Sequence, residues 1–406
     1  MAGVKRLELG LVAAETSGDL LAASVLDGLI ASLGEHGLGA AGIGGPALSD
    51  RGMACWWSID ALSVRGYAEV LREYPRLLRL RRDLRERLLA WRPDLFLGVD
   101  APDFNLDLEI SLRRAGIATA HFIGPSVWAW RRSRLARIRE AAGLMLLVFP
   151  FEQEIYDAAG IPAVYVGHPL ADRIDPASDR ALARRQLGLP ENSPLVALLP
   201  GSRPAEIRYM AEDFLETARW LRRARPELRF VLPAAGATQY GQLRGLLARR
   251  GTDDGVLLTE GRSHEALAAC DTALVGSGTA TLEAALFGRP MVIAYRMASL
   301  SYLIMRRMGY LPWIGLPNIL CRDWVVPEFV QAAATPEAMG KALLGQLDDP
   351  GLRERIVQRF ADLHGALRRD CARRCADELL AYAERMRGTR GSVRPRDPLP
   401  ASAGMP

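Results

Sequence analysis

A chain of 406 residues has room for two or three domains, and 49% hydrophobic residues are ample for their cores. The formal charge of +5 is carried almost wholly by arginine, since lysine occurs only at Lys5 and Lys341; the basic residues are spread, no nucleic-acid motif is present, and nucleic acid is not an expected partner. Cys55, Cys270, Cys321, Cys371 and Cys375 lack metal or disulfide spacing, and neither a signal peptide nor an apolar run approaching a membrane span is recognisable, so a reduced, cytoplasmic, soluble or peripheral protein is expected.

In chain order, Leu7 to Ala14 reads as a strand, Glu15-Thr16-Ser17-Gly18-Asp19 as its turn, and Leu20 to Leu33 as a helix. The turn carries carboxylates and lacks G-x-G-x-x-G, which argues against a dinucleotide. Gly42 to Pro46 is a sharp glycine turn. Pro75 to Trp91 has helical spacing, with Pro75 in the first turn and Leu77, Leu80, Leu84, Leu88 and Trp91 along one face. A strand, Asp94 to Val99, ends in Asp100-Ala101-Pro102-Asp103-Phe104-Asn105. Another, Ala118 to Ile123, ends in Gly124-Pro125-Ser126-Val127-Trp128-Ala129-Trp130, with Arg131, Arg132, Arg134 and Arg137 following. Leu144 to Val148 is a strand, and Gly167-His168-Pro169 closes this half.

Asp172 to Pro194 is polar and reads as a linker. The alternation restarts with strand Leu195 to Leu199, turn Pro200 to Pro204, and strands at Phe230 and Val256. The stretch Asp271 to Met297 is strand, small-residue turn, helix, strand. Its turn Ser277-Gly278-Thr279 presents a helix N-terminus suited to phosphate, and Glu283, about one helical turn on, could accept from a ribose diol. An ordinary βαβ unit would look much the same. The expected organisation is α/β: doubly wound, Rossmann-like domains at 1–172 and 173–335, C-terminal helices at 336–387 and a disordered tail at 388–406. Ligands of such sheets bind at the carboxyl ends of the strands, where all these turns lie.

Among groups that could react, Asp100 ends a buried strand, where partial desolvation can tune a general base. Asp103 reads better as a cap for the next helix, and His121 and His168 as packed histidines. Arg203 fits a diphosphate through paired N–H donors, with a plain surface arginine as the alternative. An acceptor on one side of a cleft and a nucleotide diphosphate on the other would suit sugar transfer without a bound metal or cofactor.

Glu15 to Asp19, Gly98 to Asn105, Pro125 to Trp130, Gly167-His168-Pro169, Pro200 to Arg203, Ser277-Gly278-Thr279 with Glu283, and Leu316-Pro317-Asn318 occur in this order. The chain resembles the lipid-A-disaccharide synthases, inverting glycosyltransferases, from about Leu7 to Asp349. The resemblance implies a two-domain fold of the GT-B type with a C-terminal helical arm. It implies UDP-2,3-diacylglucosamine as donor, 2,3-diacylglucosamine 1-phosphate as acceptor, and a β-1,6-linked disaccharide 1-phosphate plus UDP as products. It places Asp100 on the catalytic carboxylate, and Arg203, Ser277, Gly278, Thr279, Glu283 and Asn318 on the nucleotide. Glu15, Ser17, Asp103, Asn105, Ser126 and Trp128 fall on the acceptor cleft. It further implies that the C-terminal helices exchange between the subunits of a homodimer.

Ala14 and Arg65 depart from the family pattern. Lipid substrates imply peripheral contact with the inner face of the inner membrane. Val70, Leu71, Tyr74, Leu77 and Leu78, set among arginines, are the expected anionic-membrane contact, with Pro75 at a corner between two short pieces. A UDP-sugar 2-epimerase of the same architecture, or a silent nucleotide-sugar binder, are the competing readings.

Overall fold

Short apolar runs become parallel strands here because the helices that connect them cover the inner strands of each sheet on both faces. The computed structural model describes residues 6–62, 67–129, 131–250, 255–298, 302 and 309–389. Two units result, one formed by the chain up to Asp172 and again from Leu367, the other by Arg173–Ala366.

Unit 1 runs β1 (Leu7–Ala13), α1 (Thr16–Leu33), β2 (Leu38–Gly44), α2 (Pro46–Ser49), β3 (Ala54–Ser58), α3 (Tyr67–Trp91), β4 (Leu95–Val99), α4 (Pro102–Arg114), β5 (Ala118–Phe122), α5 (Arg134–Ala141), β6 (Leu144–Leu147), α6 (Glu152–Ala158), β7 (Ala163–Tyr165) and α7 (Pro169–Arg173). Its parallel sheet has the order β3-β2-β1-β4-β5-β6-β7. Unit 2 runs α8 (Arg180–Gln186), β8 (Leu195–Leu199), α9 (Pro204–Ala224), β9 (Arg229–Ala234), α10 (Ala237–Arg250), β10 (Val256–Glu260), α11 (Ser263–Ala269), β11 (Thr272–Gly276), α12 (Thr279–Leu286), β12 (Met291–Tyr295), α13 (Leu316–Cys321), β13 (Glu328–Val330), α14 (Pro336–Asp348) and α15 (Pro350–Leu367). Its sheet order is β10-β9-β8-β11-β12-β13. The last helix, α16 (Cys371–Thr389), returns to unit 1.

Several local expectations change. α1 begins at Thr16 rather than Leu20, so the expected turn supplies its first residues. α1 also has the length and apolarity of a membrane span, with a mean hydropathy of 1.2, which the sequence reading missed. It is apolar because it is a core helix, packed on its own sheet and on α16. Pro75 lies inside α3, which runs unbroken from Tyr67 to Trp91. Proline removes one intrahelical hydrogen bond, and here Tyr74, Pro75 and Arg76 are exposed to solvent. Leu80, Leu84, Leu88 and Trp91 hold the helix on a core with Trp56, Phe96, Leu108 and Leu112. The 172–194 linker contains α8, capped by Asp179. Arg184 of α8 is buried, donating to the Ala269 carbonyl at 2.9 Å and pairing with Asp271 at 2.8 Å.

The helical block expected at 336–387 divides between the units. α14 packs on α9, whereas α16 packs on α1 of its own chain. Asp172 accepts the N–H groups of Arg369, Asp370 and Cys371 at 3.1, 3.0 and 2.6 Å, which fixes the start of α16. At its other end Arg387 grips the buried Asp94 carboxylate through both oxygens, at 3.0 and 2.5 Å. α16 continues to Thr389, past the expected stop; the rest of the tail, Arg65-Gly66 and Trp130 lie outside the described residues.

Asp19 is one of the two carboxylates of the turn after β1. It is buried, and its carboxylate accepts from Gly45 N at 2.7 Å and Ala47 N at 2.9 Å, holding the turn after β2 against α1. Asp19→Ala leaves both donors unpaired and should destabilise the fold by roughly 2–4 kcal/mol. Urea unfolding of the purified variant measures this; a loss below about 0.5 kcal/mol, the range of neutral surface changes, would contradict it.

Candidate functional site

The sheet of unit 1 is wound in one direction from β1 to β3 and in the other from β4 to β7. The loops leaving β1 and β4 therefore diverge and leave a crevice at the carboxyl ends of the strands. A pocket of about 220 Å³ opens there, walled by Ala14, Glu15 and Gly18 from one loop and by Val99 to Pro102 from the other. Glu15 and Ser17 are exposed at the start of α1, and Ala14 forms part of the wall.

Asp100 projects from this crevice. It is exposed, which corrects the expectation of a desolvated carboxylate. The backbone is what is unusual: Asp100 and Ala101 are both left-handed, with φ of 51° and 45°. Such a conformation costs a non-glycine residue about 1–3 kcal/mol, so neighbours must impose it. Asp100 N donates to the Phe122 carbonyl at 2.9 Å. Asn105 Nδ2 donates back to the carbonyl of Asp100 at 2.8 Å and towards that of Val99 at 3.4 Å.

Asn105 is fully buried, so it holds the turn and does not face the crevice as expected. Asp103 is not a cap either. α4 starts at Pro102 with Ala101 in the capping position, and the exposed Asp103 carboxylate pairs with Arg134 at 2.6 Å. After β5, Ser126 is exposed but Trp128 is turned inward. Trp128 Nε1 donates to Glu152 Oε1 at 3.2 Å, and its ring meets Phe149 and Phe151 edge-on, so it anchors the loop instead of lining a ligand surface. His168 is packed on Phe149, and burial lowers its pKa to about 4.

In unit 2 the winding reverses between β8 and β11. The turns after these two adjacent strands approach so closely that a Cβ at Gly276 would lie 3.0 Å from the Pro200 carbonyl. Arg203 reaches out from one turn with a side chain 70% exposed, 3.7 Å from Glu206. Glu206 also accepts from Ser202 N and Arg203 N at 3.0 and 3.1 Å, which sets the direction in which α9 begins. The other turn leads into α12. Ser277 Oγ donates to the Ile314 carbonyl at 3.0 Å, while Gly278 and Thr279 are exposed at the helix start. Glu283 is half-buried beside His264, at 3.5 Å. Asn318 is again a correction. It is fully buried, donates to Val326 O and Glu328 Oε1 at 2.8 and 2.9 Å, and accepts from Val325 N and Val326 N at 3.0 Å. Its amide is spent on the loop, leaving no donor for a nucleotide. Glu328 completes this cradle by accepting from Ile314 N and Gly315 N at 2.8 and 2.9 Å; burial raises its pKa.

Sequence reasoning missed Glu109, Glu152, His264 and Glu328. Glu109 had a usable signal: it shares the face of α4 with Leu108 and Leu112, where a carboxylate needs a buried partner. Glu152, Glu328 and His264 offered none, because their partners are set by tertiary packing.

The sequence family described as lipid-A-disaccharide synthetase matches residues 9–376. A lipid-A-disaccharide synthase of Thiobacillus denitrificans is 49% identical over 93% of this chain and 100% of its own length. That of Albidiferax ferrireducens is 48% identical over 92% and 96%. Among solved structures, the calicheamicin glycosyltransferase CalG4 is similar with a TM-score of 0.60 at 16% identity, covering 94% of this chain and 99% of its own. UDP-GlcNAc 2-epimerase of Neisseria meningitidis, bound to UDP-GlcNAc, is similar with a TM-score of 0.61 at 12% identity, covering 93% and 100%. The two structures establish a shared fold of two Rossmann-like units.

Glu152 gives a pH dependence. Burial, only partly offset by its bonds from Phe149 and Trp128, raises its pKa from 4.5 to about 8. The stability it contributes is complete below the unfolded value and is lost as pH rises through the folded one. The urea midpoint of the wild type should therefore fall between about pH 5 and 8 more steeply than that of Glu152→Gln; parallel curves would contradict this.

Proposed function

Because the chain belongs to the lipid-A-disaccharide synthase family and is a glycosyltransferase that forms the lipid A disaccharide, we propose that its two switch points divide the reaction between acceptor and nucleotide. The acceptor, 2,3-diacylglucosamine 1-phosphate, lies in unit 1 against Asp100, Glu15, Ser17 and Ser126. The UDP of the diacylglucosamine donor lies in unit 2 on Arg203, the turn Ser277-Gly278-Thr279 and Glu283.

Asp100 accepts the proton of the acceptor 6-hydroxyl as that oxygen attacks the anomeric carbon. The bond from that carbon to the diphosphate breaks on the opposite face, which inverts the centre and gives the β-1,6 linkage. The leaving diphosphate gains negative charge, and a guanidinium together with a helix N-terminus meets it. The observation that carries this reading is the exposed Asp100 carboxylate, held by a strained turn in the unit 1 crevice. A UDP-sugar 2-epimerase fits less well, since its likeness to this chain is one of fold at 12% identity. A silent nucleotide-sugar binder would leave the strain at Asp100 without a use. A homodimer exchanging C-terminal helices would form the α1–α16 contacts between two copies instead of within one.

Two variants separate the roles. Asp100→Asn should lower turnover about 100-fold or more with UDP affinity intact. Arg203→Ala should weaken UDP binding by about 1.5–3 kcal/mol. Mass spectrometry of the acylated product and calorimetry with UDP give the two readouts; near-normal turnover in Asp100→Asn, or unchanged UDP affinity in Arg203→Ala, would refute the corresponding assignment.

Acylated substrates require a lipid surface, which we assign to α3 at the cytoplasmic face of the inner membrane. Tyr74 and Leu78 are 56% and 39% exposed, large apolar groups on an outer face; Leu77 is half-buried, and the side chains of Val70 and Leu71 lie outside the described residues. Beside Leu78 a groove of about 360 Å³ is lined by Arg81, Arg82, Arg85 and Arg114, with Asp107 as the one acidic wall. Apolar insertion next to guanidinium groups suits anionic headgroups. Tyr74→Ser with Leu78→Ser should reduce flotation with anionic vesicles, and added salt should reduce it for the wild type. A folded double variant that floats like wild type would place the contact elsewhere.

A further inference from the structure

Beneath the Asp100 turn lies a buried polar stack that the reaction described above does not use. Glu109 of α4 and His121 of β5 are both 0% exposed, with His121 Nδ1 2.7 Å from Glu109 Oε1. His121 sits opposite Gly98 in the parallel register of β4 and β5. Gly98 is covered on the same face of the sheet: a Cβ there would collide with Glu109 Oε1 and come within 3.1 Å of Asn105 Cβ. Asn105, one turn before Glu109 on α4, is the residue that grips the Asp100 carbonyl. The chain of contact thus runs from His121 to Glu109, across Gly98 to Asn105, and from Asn105 to the catalytic turn.

The stack is costly. Asn105 Oδ1, Glu109 Oε2 and His121 Nε2 are buried without hydrogen-bond partners of good geometry. Burial of His121 opposes its protonation, but the charge and hydrogen bond of Glu109 outweigh this, Asp100 and the Ile123 backbone add to them, and the imidazole pKa is raised. A buried ion pair of this kind is commonly replaceable by apolar residues without loss of stability. Ile123, two residues beyond His121, is itself left-handed at φ 69°, a rare state for a β-branched residue. Strain therefore sits at the ends of β4 and β5, the two neighbouring strands beneath the pair.

We infer that Glu109 and His121 are positioning residues for Asp100: the pair locks α4 to β5, and through Asn105 imposes the left-handed turn that aims the carboxylate. This rests on Asp100 being the base. Two apolar residues of similar size would fill the same volume but let Asn105 and the turn relax.

The test compares kcat, acceptor KM, UDP affinity and urea stability for Glu109→Leu combined with His121→Phe, with and without Asp100→Asn. The pair variant should remain folded and bind UDP as wild type does, with kcat lowered about 10-fold or more and acceptor KM changed little, because aim is lost and binding is not. On the Asp100→Asn background the same substitutions should cause no further loss, since residues acting as one unit are non-additive. Wild-type kcat in the folded pair variant, or a full additional loss on the Asp100→Asn background, would overturn the inference and leave Asp100 as base intact. Near-normal turnover of Asp100→Asn alone would overturn the base assignment and the inference with it. Should the pair variant not fold, Glu109→Met in an otherwise wild-type chain, which removes the oxygen that meets His121 at similar side-chain length, carries the same comparison with the same outcomes.

Discussion

In both units everything depends on one topological constraint, the single point at which a parallel sheet reverses its direction of winding. In unit 1 two loops part there, and the crevice between them is where backbone and side chains can face a ligand. The rest of each unit fixes those loops. In unit 1 β4 and β5, whose ends carry Asp100 and Ile123, are wholly buried, so the turn at Asp100 is anchored on fixed strands. In unit 2 the turns after β8 and β11 touch through Gly276 and Pro200, so neither can shift alone.

Holding a loop is work for polar side chains turned inward. Asp19, Asn105, Asn318 and Glu328 each bind two or more backbone or side-chain groups of a neighbouring loop from a buried or largely buried position. A hydrogen bond to a charged or fully buried group is worth more than an exposed one, and an unmade one costs more. The outward groups, Asp100, Glu15, Ser17 and Arg203, are exposed and spend little on the fold. Inward residues fix the loops, and outward residues face the solvent.

That division explains what could be read from the sequence. The alternation of apolar runs with helical spacing gave both sheets, and the turns after β1 and β4 frame the crevice of unit 1. Within a motif, however, a polar residue looks the same whether it faces ligand or core. Asn318 was assigned to the nucleotide, yet its partners Val326 and Glu328 follow eight and ten residues later, beyond what local pattern reveals. Trp128 was assigned to the acceptor, yet Glu152, 24 residues away, turns the indole inward. Pro75 misled for a different reason: the proline rule concerns an average helix interior, and α3 carries its proline where solvent surrounds it.

The same logic of distant partners governs how unit 1 is completed. Its sheet and first helices come early in the chain, but the buried Asp94 carboxylate has its cation in Arg387, 293 residues on. Unit 2 is inserted between them and is contiguous, from Arg173 to Ala366. Contacts of such separation are costly to close and form late. Until α16 arrives, α1 has nothing covering its second face, and α1 is the described helix whose composition suits a membrane. A buried carboxylate without its cation and an uncovered apolar helix are both unfavourable, so docking of α16 removes two penalties in one step. The triple backbone grip of Asp172 on Arg369, Asp370 and Cys371 fixes the start of α16, so the helix lies on α1 from an anchored end.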